Sequence, residues 1–267
     1  MYSHLILSGG GVKGVTMLGA LIYLEKNNII DSITNIGGTS IGALIGSLLC
    51  IMKPSEIQCK INGMFGFKES DINIKNLFIN YGVIGDNHLV NFVGNLFIEK
   101  LNTIPTMLEL YNISKKELDI YTVNINRQQL EKLNYKNTPD LLISNAVHMS
   151  INLPFLFTKV KYNNSYYVDG GIIENFPWKY YEHISIEKKI GIDLTSKNID
   201  LEISTLSEYI FQILYSMWSQ KNCTYTEGVL CLKEDCSVFQ FNMSSEKTND
   251  QLKSGFTQMS EYLKKRI

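Results

Sequence analysis

The sequence contains no stretch able to cross a bilayer. Its longest apolar run, around Ile41 to Met52, is broken by Gly42, Gly46 and Ser47 and falls short of the roughly 20 residues a spanning helix needs. Any membrane contact is therefore expected to be peripheral. Charge of one sign is also missing: 25 basic against 26 acidic residues leave a net charge of -1, so no global field draws in a polyanion and nucleic acid is excluded as a partner. The basic cluster Lys264-Lys265-Arg266 could touch an anionic surface, although cations also suit a helix C-terminus. The five cysteines (Cys50, Cys59, Cys223, Cys231, Cys236) include no C-x-x-C pair, which argues against zinc and dithiol redox chemistry. They are expected to be mostly reduced and buried, with no metal and no cofactor. Met1-Tyr2-Ser3-His4 leads straight into an apolar triplet, without the basic region and apolar length of a signal peptide. An intracellular location with peripheral membrane contact is the expectation.

What is present is ordinary globular chemistry, 45% hydrophobic and 19% charged over 267 residues, enough for one large α/β domain with a substantial core. No internal repeat or linker divides it. Residues 1-267 are expected to form a single unit, with the motifs in 1-195 and helices and a strand in 196-267. Leu5-Ile6-Leu7 reads as a strand, then come glycines, then a helix from Val15 to about Lys26; a strand at Ser32 to Ile36, a turn and a helix from Ile41 follow. Two such β-turn-α units predict a mostly parallel sheet covered by helices. Further expectations are helices starting at Pro54, Asp86, Thr106 and Pro139, and a strand from Leu118 to Ile125. Beyond these come a hairpin turn at Tyr162 to Tyr166 and a strand at Lys189 to Leu194. A helix near Leu206 to Gln220, a strand at Ser237 to Phe241 and a last helix from about Glu246 complete the series. Phe211, Leu214, Met217 and Trp218 share one side of the 206–220 helix, a spacing that suits a core face better than an acyl channel.

Gly9-Gly10-Gly11-Val12-Lys13-Gly14 fits G-x-G-x-x-G between a strand and a helix, so a dinucleotide site has to be weighed. The acidic residue that would bind ribose should end the second strand, yet Asp31 precedes that strand, which ends in glycines and a serine. A Walker loop fails because its lysine follows the last glycine. A third reading is an oxyanion hole: consecutive glycines let backbone N–H groups converge at the positive end of a helix, where a phosphate or a developing alkoxide would be held, and a tight turn without a ligand is the alternative.

Gly38-Thr39-Ser40-Ile41-Gly42 is G-x-S-x-G between a strand and a helix, the setting of a nucleophile elbow. Gly38 and Gly42 supply the small neighbours of a sharp turn, and Ser40 becomes the candidate nucleophile. A serine needs a base. Of the four histidines, His4, His88 and His148 suit structural or surface positions, whereas His183 follows Asp169 and would complete a Ser40/Asp169/His183 triad in α/β-hydrolase order. Against the triad, Ser40 sits on the second strand rather than after several. The other base is Asp169 itself in Val168-Asp169-Gly170-Gly171, where Asp-Gly is in isolation only a turn signal.

Taken together, G-G-G-V-K-G at Gly9 to Gly14, G-T-S-I-G at Gly38 to Gly42 and D-G-G at Asp169 to Gly171 resemble the patatin-like phospholipase family. The similarity extends to Ser150 through Phe157, to Glu174-Asn175-Phe176-Pro177 and to Thr106 through Tyr111, covering most of residues 1 to about 195. The resemblance implies a three-layer α/β/α fold and a serine esterase with a catalytic dyad and no catalytic histidine. The nucleophile maps to Ser40, the base to Asp169, and the oxyanion loop to Gly9, Gly10, Gly11 and the adjoining backbone. Lys13 could attract a phosphate headgroup, sit in solvent or brace the loop. The implied substrates are membrane or micellar glycerolipids, mainly phospholipids and lysophospholipids, with neutral acylglycerols in some branches.

Overall fold

The computed structural model describes residues 1–61, 73–85, 87–196, 203, 209, 213, 216, 227–234 and 244–266. Strand β1 (His4–Leu7) is central because Leu5, Ile6 and Leu7 are all apolar and fully buried, as in parallel sheets covered on both faces. It pairs in parallel with β2 (Asn35–Thr39) on one side and β9 (Lys189–Ser196) on the other. β2 continues in parallel to β4 (Glu117–Asn124), and β9 to β10 (Val229–Glu234). Beyond β4 the sheet turns antiparallel through β8 (Ser165–Asp169) and β7 (Val160–Tyr162), with β5 (Gln129–Leu133) also on β4. Two short parallel strands, β3 (Gly82–Ile84) and β6 (Phe155–Phe157), pair apart from this sheet.

Alternation along β1 sorts the layers. Leu5 and Leu7 join the core formed with α1 (Gly14–Lys26), α2 (Ile41–Leu48) and α7 (Ile143–Ile151), while Ile6 packs among Tyr121, Phe176, Trp178 and Tyr181 on the other face. The C-terminal helix (Ser245–Lys264) lies on α1, where Phe256 meets Tyr23 edge-on. Leu18 and Leu21 of α1 are fully buried, each contributing roughly 1.5–3 kcal/mol by leaving water. α3 (Pro54–Ile61) and α5 (Asn87–Leu101) are tied by Lys60–Glu99 and Lys100–Glu56 ion pairs. α6 (Met107–Ser114) starts at a capping box, Thr106 with Glu109. The remaining helix, α4 (Ile74–Asn80), runs into β3. This is the three-layer α/β/α architecture with a mostly parallel sheet that the sequence predicts.

Several boundaries shift for local reasons. The second strand runs 35–39 rather than 32–36, because Ser32 Oγ donates to Tyr2 O and Ile29 O and holds Ile30–Ser32 in a tight turn; such local bonding competes with a ladder. The helix expected from Pro139 starts at Ile143. The Leu141 and Pro139 carbonyls are engaged by the first turn of α6, through Met107 N–H and Leu108 N–H. β3, β5, β6 and β10 were not expected. The hairpin turn falls where predicted, with Asn163 and Asn164 both at positive φ, which asparagine tolerates. Cys231, expected to be reduced, is disulfide-bonded, and Cys59 is exposed; wide spacing in sequence carries no information on distance in the fold. The cap at Asp86, most of the 206–220 helix including Phe211, Leu214, Met217 and Trp218, and the 237–241 strand lie outside the described residues.

Candidate active site

Strand register brings the three motifs to one level. Leu7 is opposite Gly38, so the glycine loop leaves β1 beside the elbow that leaves β2. Thr39 is opposite Tyr121, and the next residue of β4, Thr122, is opposite Asp169. Residues 129 positions apart thus meet because β8 runs antiparallel and ends where β2 ends.

At the elbow Ser40 has φ 54 and ψ -124, a strained conformation for a residue with a Cβ. The turn is tight enough that its glycines are obligatory. A Cβ on Gly42 would lie 2.6 Å from the carbonyl oxygens of Leu7 and Ser8, and one on Gly38 would lie 2.5 Å from the Gly42 backbone. Ser40 N–H donates to Ser150 Oγ at 2.9 Å, and Ser150 Oγ donates to Tyr121 O at 2.6 Å. Ser150 therefore ties the elbow to α7 and β4.

Ser40 Oγ donates to Asp169 Oδ2 at 2.6 Å, and Gly171 N–H donates to Asp169 Oδ1 at 2.7 Å. Both side chains are buried. Burial pushes the Asp169 carboxyl from an ordinary 3.8 up to about 7, against the pull of the hydrogen bonds from Ser40 and Gly171. The carboxylate that a turn signal would leave solvated is in this way given the proton affinity of a histidine.

The glycine loop abuts the serine: a Cβ on Gly9 would be 3.1 Å from Ser40 Cβ. Its donors are not equivalent. Gly9 N–H is occupied by Asn175 O at 2.9 Å, Lys13 N–H by Gly10 O at 3.1 Å, and Gly14 N–H by the Gly11 and Val12 carbonyls. Gly10, Gly11 and Val12 donate their N–H groups to no described residue, and Gly10 and Gly11 are part-exposed while Val12 is buried. Gly9 was a candidate donor; its N–H instead fixes the loop to the segment after Asp169. Lys13 is fully buried, not in solvent.

His183 is not part of this cluster. It is exposed and acts on His4, whose pKa is lowered by burial and then by the charge of His183. His4 opens β1, at the opposite end of the strand from the glycine loop. A dinucleotide reading loses its acid as well, since β2 ends Gly37-Gly38-Thr39 with Ser40 beyond. Ser150 and Asn175 fall in segments that carry the family resemblance, but nothing in the sequence singles either out, because each acts across more than 100 residues on a backbone group. Ser150→Ala would leave the buried Ser40 N–H and Tyr121 O without their partner. The expected result is a protein about 2–3 kcal/mol less stable with a lower kcat, checked by urea unfolding and turnover; unchanged values for both would show that Ser150 does not support the elbow.

A hydrolase of mixed α/β architecture is the class that this fold and this arrangement define. Residues 5–180 match the model of the patatin-like phospholipase family, and the chain belongs to that family. It is 28% identical to uncharacterized protein R571 of Acanthamoeba polyphaga mimivirus over 99% of this chain and 94% of that protein. It is 31% identical to probable lipid hydrolase 463L of Invertebrate iridescent virus 6, covering 66% of this chain and 62% of the relative. Against triacylglycerol lipase 4 of Saccharomyces cerevisiae the identity is 30% over 76% of this chain, but only 22% of that longer protein is spanned. Among solved structures, VipD from Legionella pneumophila superposes with a TM-score of 0.70 at 16% identity, over 99% of this chain and 67% of that one.

Proposed function

We propose that this chain cleaves fatty-acyl esters of glycerophospholipids or lysophospholipids through a Ser40–Asp169 dyad. The observation that carries the reading is the buried 2.6 Å hydrogen bond from Ser40 Oγ to Asp169 Oδ2. As Ser40 Oγ attacks the acyl carbonyl, Asp169 takes its proton; the N–H groups of Gly10, Gly11 and Val12 hold the oxyanion, and Asp169 returns the proton to the departing alcohol. Water, deprotonated by Asp169, then attacks the acyl-enzyme, and Ser40 recovers its hydrogen as the fatty acid leaves. The family name and the lipid-hydrolase names of two relatives support an acyl lipid as substrate.

The base must be ionised, so kcat/KM is expected to rise with pH, half-maximal at about 7 and level above. Turnover of a soluble short-chain ester across pH reads this directly. A limb at the ordinary carboxylate value would remove the buried Asp169 as base, and loss of activity in a folded His183→Ala protein would restore the triad. Substrate class is tested by fluorophosphonate labelling, with the adduct mapped to Ser40, and by fatty-acid release from phosphatidylcholine, lysophosphatidylcholine and triolein side by side. Release from triolein alone would move the assignment to neutral lipids.

A further inference from the structure

Most surface helices hide one face; α4 hides none, as no residue of Ile74–Asn80 is buried. Leu77 is half-buried, but its other apolar side chains face solvent, with Phe78 79% and Ile74 67% exposed, beside exposed Ile79, Tyr81 and Phe155. Ile74 and Phe78 are four residues apart and so share a side of the helix. A short helix with no fully buried residue gains little from core packing, yet this one is anchored at both ends. Asn73 Oδ1 caps it by accepting Lys75 N–H at 3.0 Å, and Asn73 N–H donates to Val83 O. Lys159 closes the other end, its N–H on Asn80 O and its Nζ on Ile79 O at 3.0 Å. Phe155, in β6, is held at φ 67, a costly conformation for an aromatic residue. The fold therefore spends order on keeping a contiguous apolar patch in water, which marks an interaction surface.

Charge and position say what covers it. The described segments 73–85 and 153–164 contain three lysines, Lys75, Lys159 and Lys161, and no aspartate or glutamate, Asp71 and Asp86 lying outside the described residues. Lys159 Nζ lies 4.5 Å from the centre of the Tyr81 ring, an amphipathic pair of the kind that sits at a headgroup boundary. A second copy of this chain meeting the patch face to face would set lysine against lysine; an anionic surface would not. The patch is also close to the site along the chain. Asn152 O accepts the Asp169 N–H, and Phe155 follows three residues on, within about 11 Å even for extended chain.

We propose that the face formed by α4, β3 and β6 docks on an anionic phospholipid bilayer and delivers its lipids to the site, an inference that rests on the reading of that site as an acyl-lipid hydrolase. The test uses Ser40→Ala protein co-sedimented with phosphatidylcholine vesicles, with and without phosphatidylserine. Phe78→Ser/Ile79→Ser in that background is expected to lower vesicle binding about tenfold or more. Lys75→Glu should lower it about fivefold, on phosphatidylserine vesicles and at low salt. In the otherwise native chain the same substitutions should leave turnover of a soluble short-chain ester unchanged, which shows the fold and site intact. Binding that is unaffected by Phe78→Ser/Ile79→Ser overturns the proposal. So does absence of binding to either vesicle, or a self-association that these substitutions abolish. Because the Ser40→Ala protein needs no chemistry to bind, failure of the hydrolase reading would appear separately, as vesicle binding without ester turnover in the native chain.

Discussion

Asp169→Asn is expected to lower kcat/KM by about 10⁴-fold and, above pH 7, to make the protein more stable than the native chain. Both effects have one cause. An amide cannot accept the proton of Ser40, so attack on the carbonyl loses its base. The carboxylate it replaces is costly to bury, and that cost appears as a folded-state pKa of about 7 against an ordinary 3.8. Between these two values the folded protein binds a proton that the unfolded chain has released, so native stability falls as pH rises through the window and is level above it. At 1.36 kcal/mol per pKa unit the advantage of asparagine is on the order of 4 kcal/mol at most above pH 7, and it vanishes as pH approaches 3.8. The hydrogen bonds survive the exchange: the asparagine Oδ1 accepts Gly171 N–H, and its amide donates to Ser40 Oγ. Urea unfolding of both proteins at the two ends of the window, together with ester turnover, checks the pair of effects. An asparagine variant that is less stable at alkaline pH, or that retains turnover, would dissociate the carboxylate from both roles.

The same trade explains how much of the molecule could be read from its sequence. Two strand-glycine-helix units in the first 55 residues are enough to predict a parallel sheet, because apolar triplets such as Leu5-Ile6-Leu7 have no other stable place. The elbow and the glycine loop were legible for a related reason, since steric demands leave a local signature; Gly38 and Gly42 stand where any Cβ would strike backbone. Asp169 has no such signature. What distinguishes it from an ordinary Asp-Gly turn is its burial opposite Thr122, a property of the antiparallel β8 that spacing does not encode, so it was reached through resemblance to a family. Ser150 and Asn175 lie within segments of family similarity, yet their roles and the occupied Gly9 N–H were not legible, because their chemistry is backbone bonding between distant segments. Of the readings open for Lys13, burial removes solvent and suits a lysine that braces the loop, an outcome that a charged residue in a polar loop does not announce in sequence.

Ser40 is the second place where local preference and activity pull apart. Ser40→Ala and Ser40→Gly are both expected to lose turnover by about 10⁴- to 10⁶-fold, leaving what the glycine loop alone provides. Their stabilities should differ, and in the direction opposite to the usual ranking of these two residues. Alanine keeps a Cβ in a backbone held at φ 54 and ψ -124, a strain of roughly 1–3 kcal/mol for a residue other than glycine. Glycine adopts that region freely but loses about 0.4–1 kcal/mol more to the entropy of the unfolded chain. The difference favours glycine by about 1 kcal/mol, or about 2–4 °C in Tm for a protein of this size. Equal Tm values, or a more stable Ser40→Ala, would mean that the elbow relaxes once the Oγ to Asp169 bond is gone, and that the hydroxyl rather than the surrounding turn holds the conformation. A more stable glycine would place the strain in the scaffold itself, in the β1 carbonyls beneath Gly42 and the Ser150 bridge to Tyr121. The serine is then aimed at Asp169 before any substrate arrives, and the orientation needed for attack is set when the chain folds rather than at each turnover.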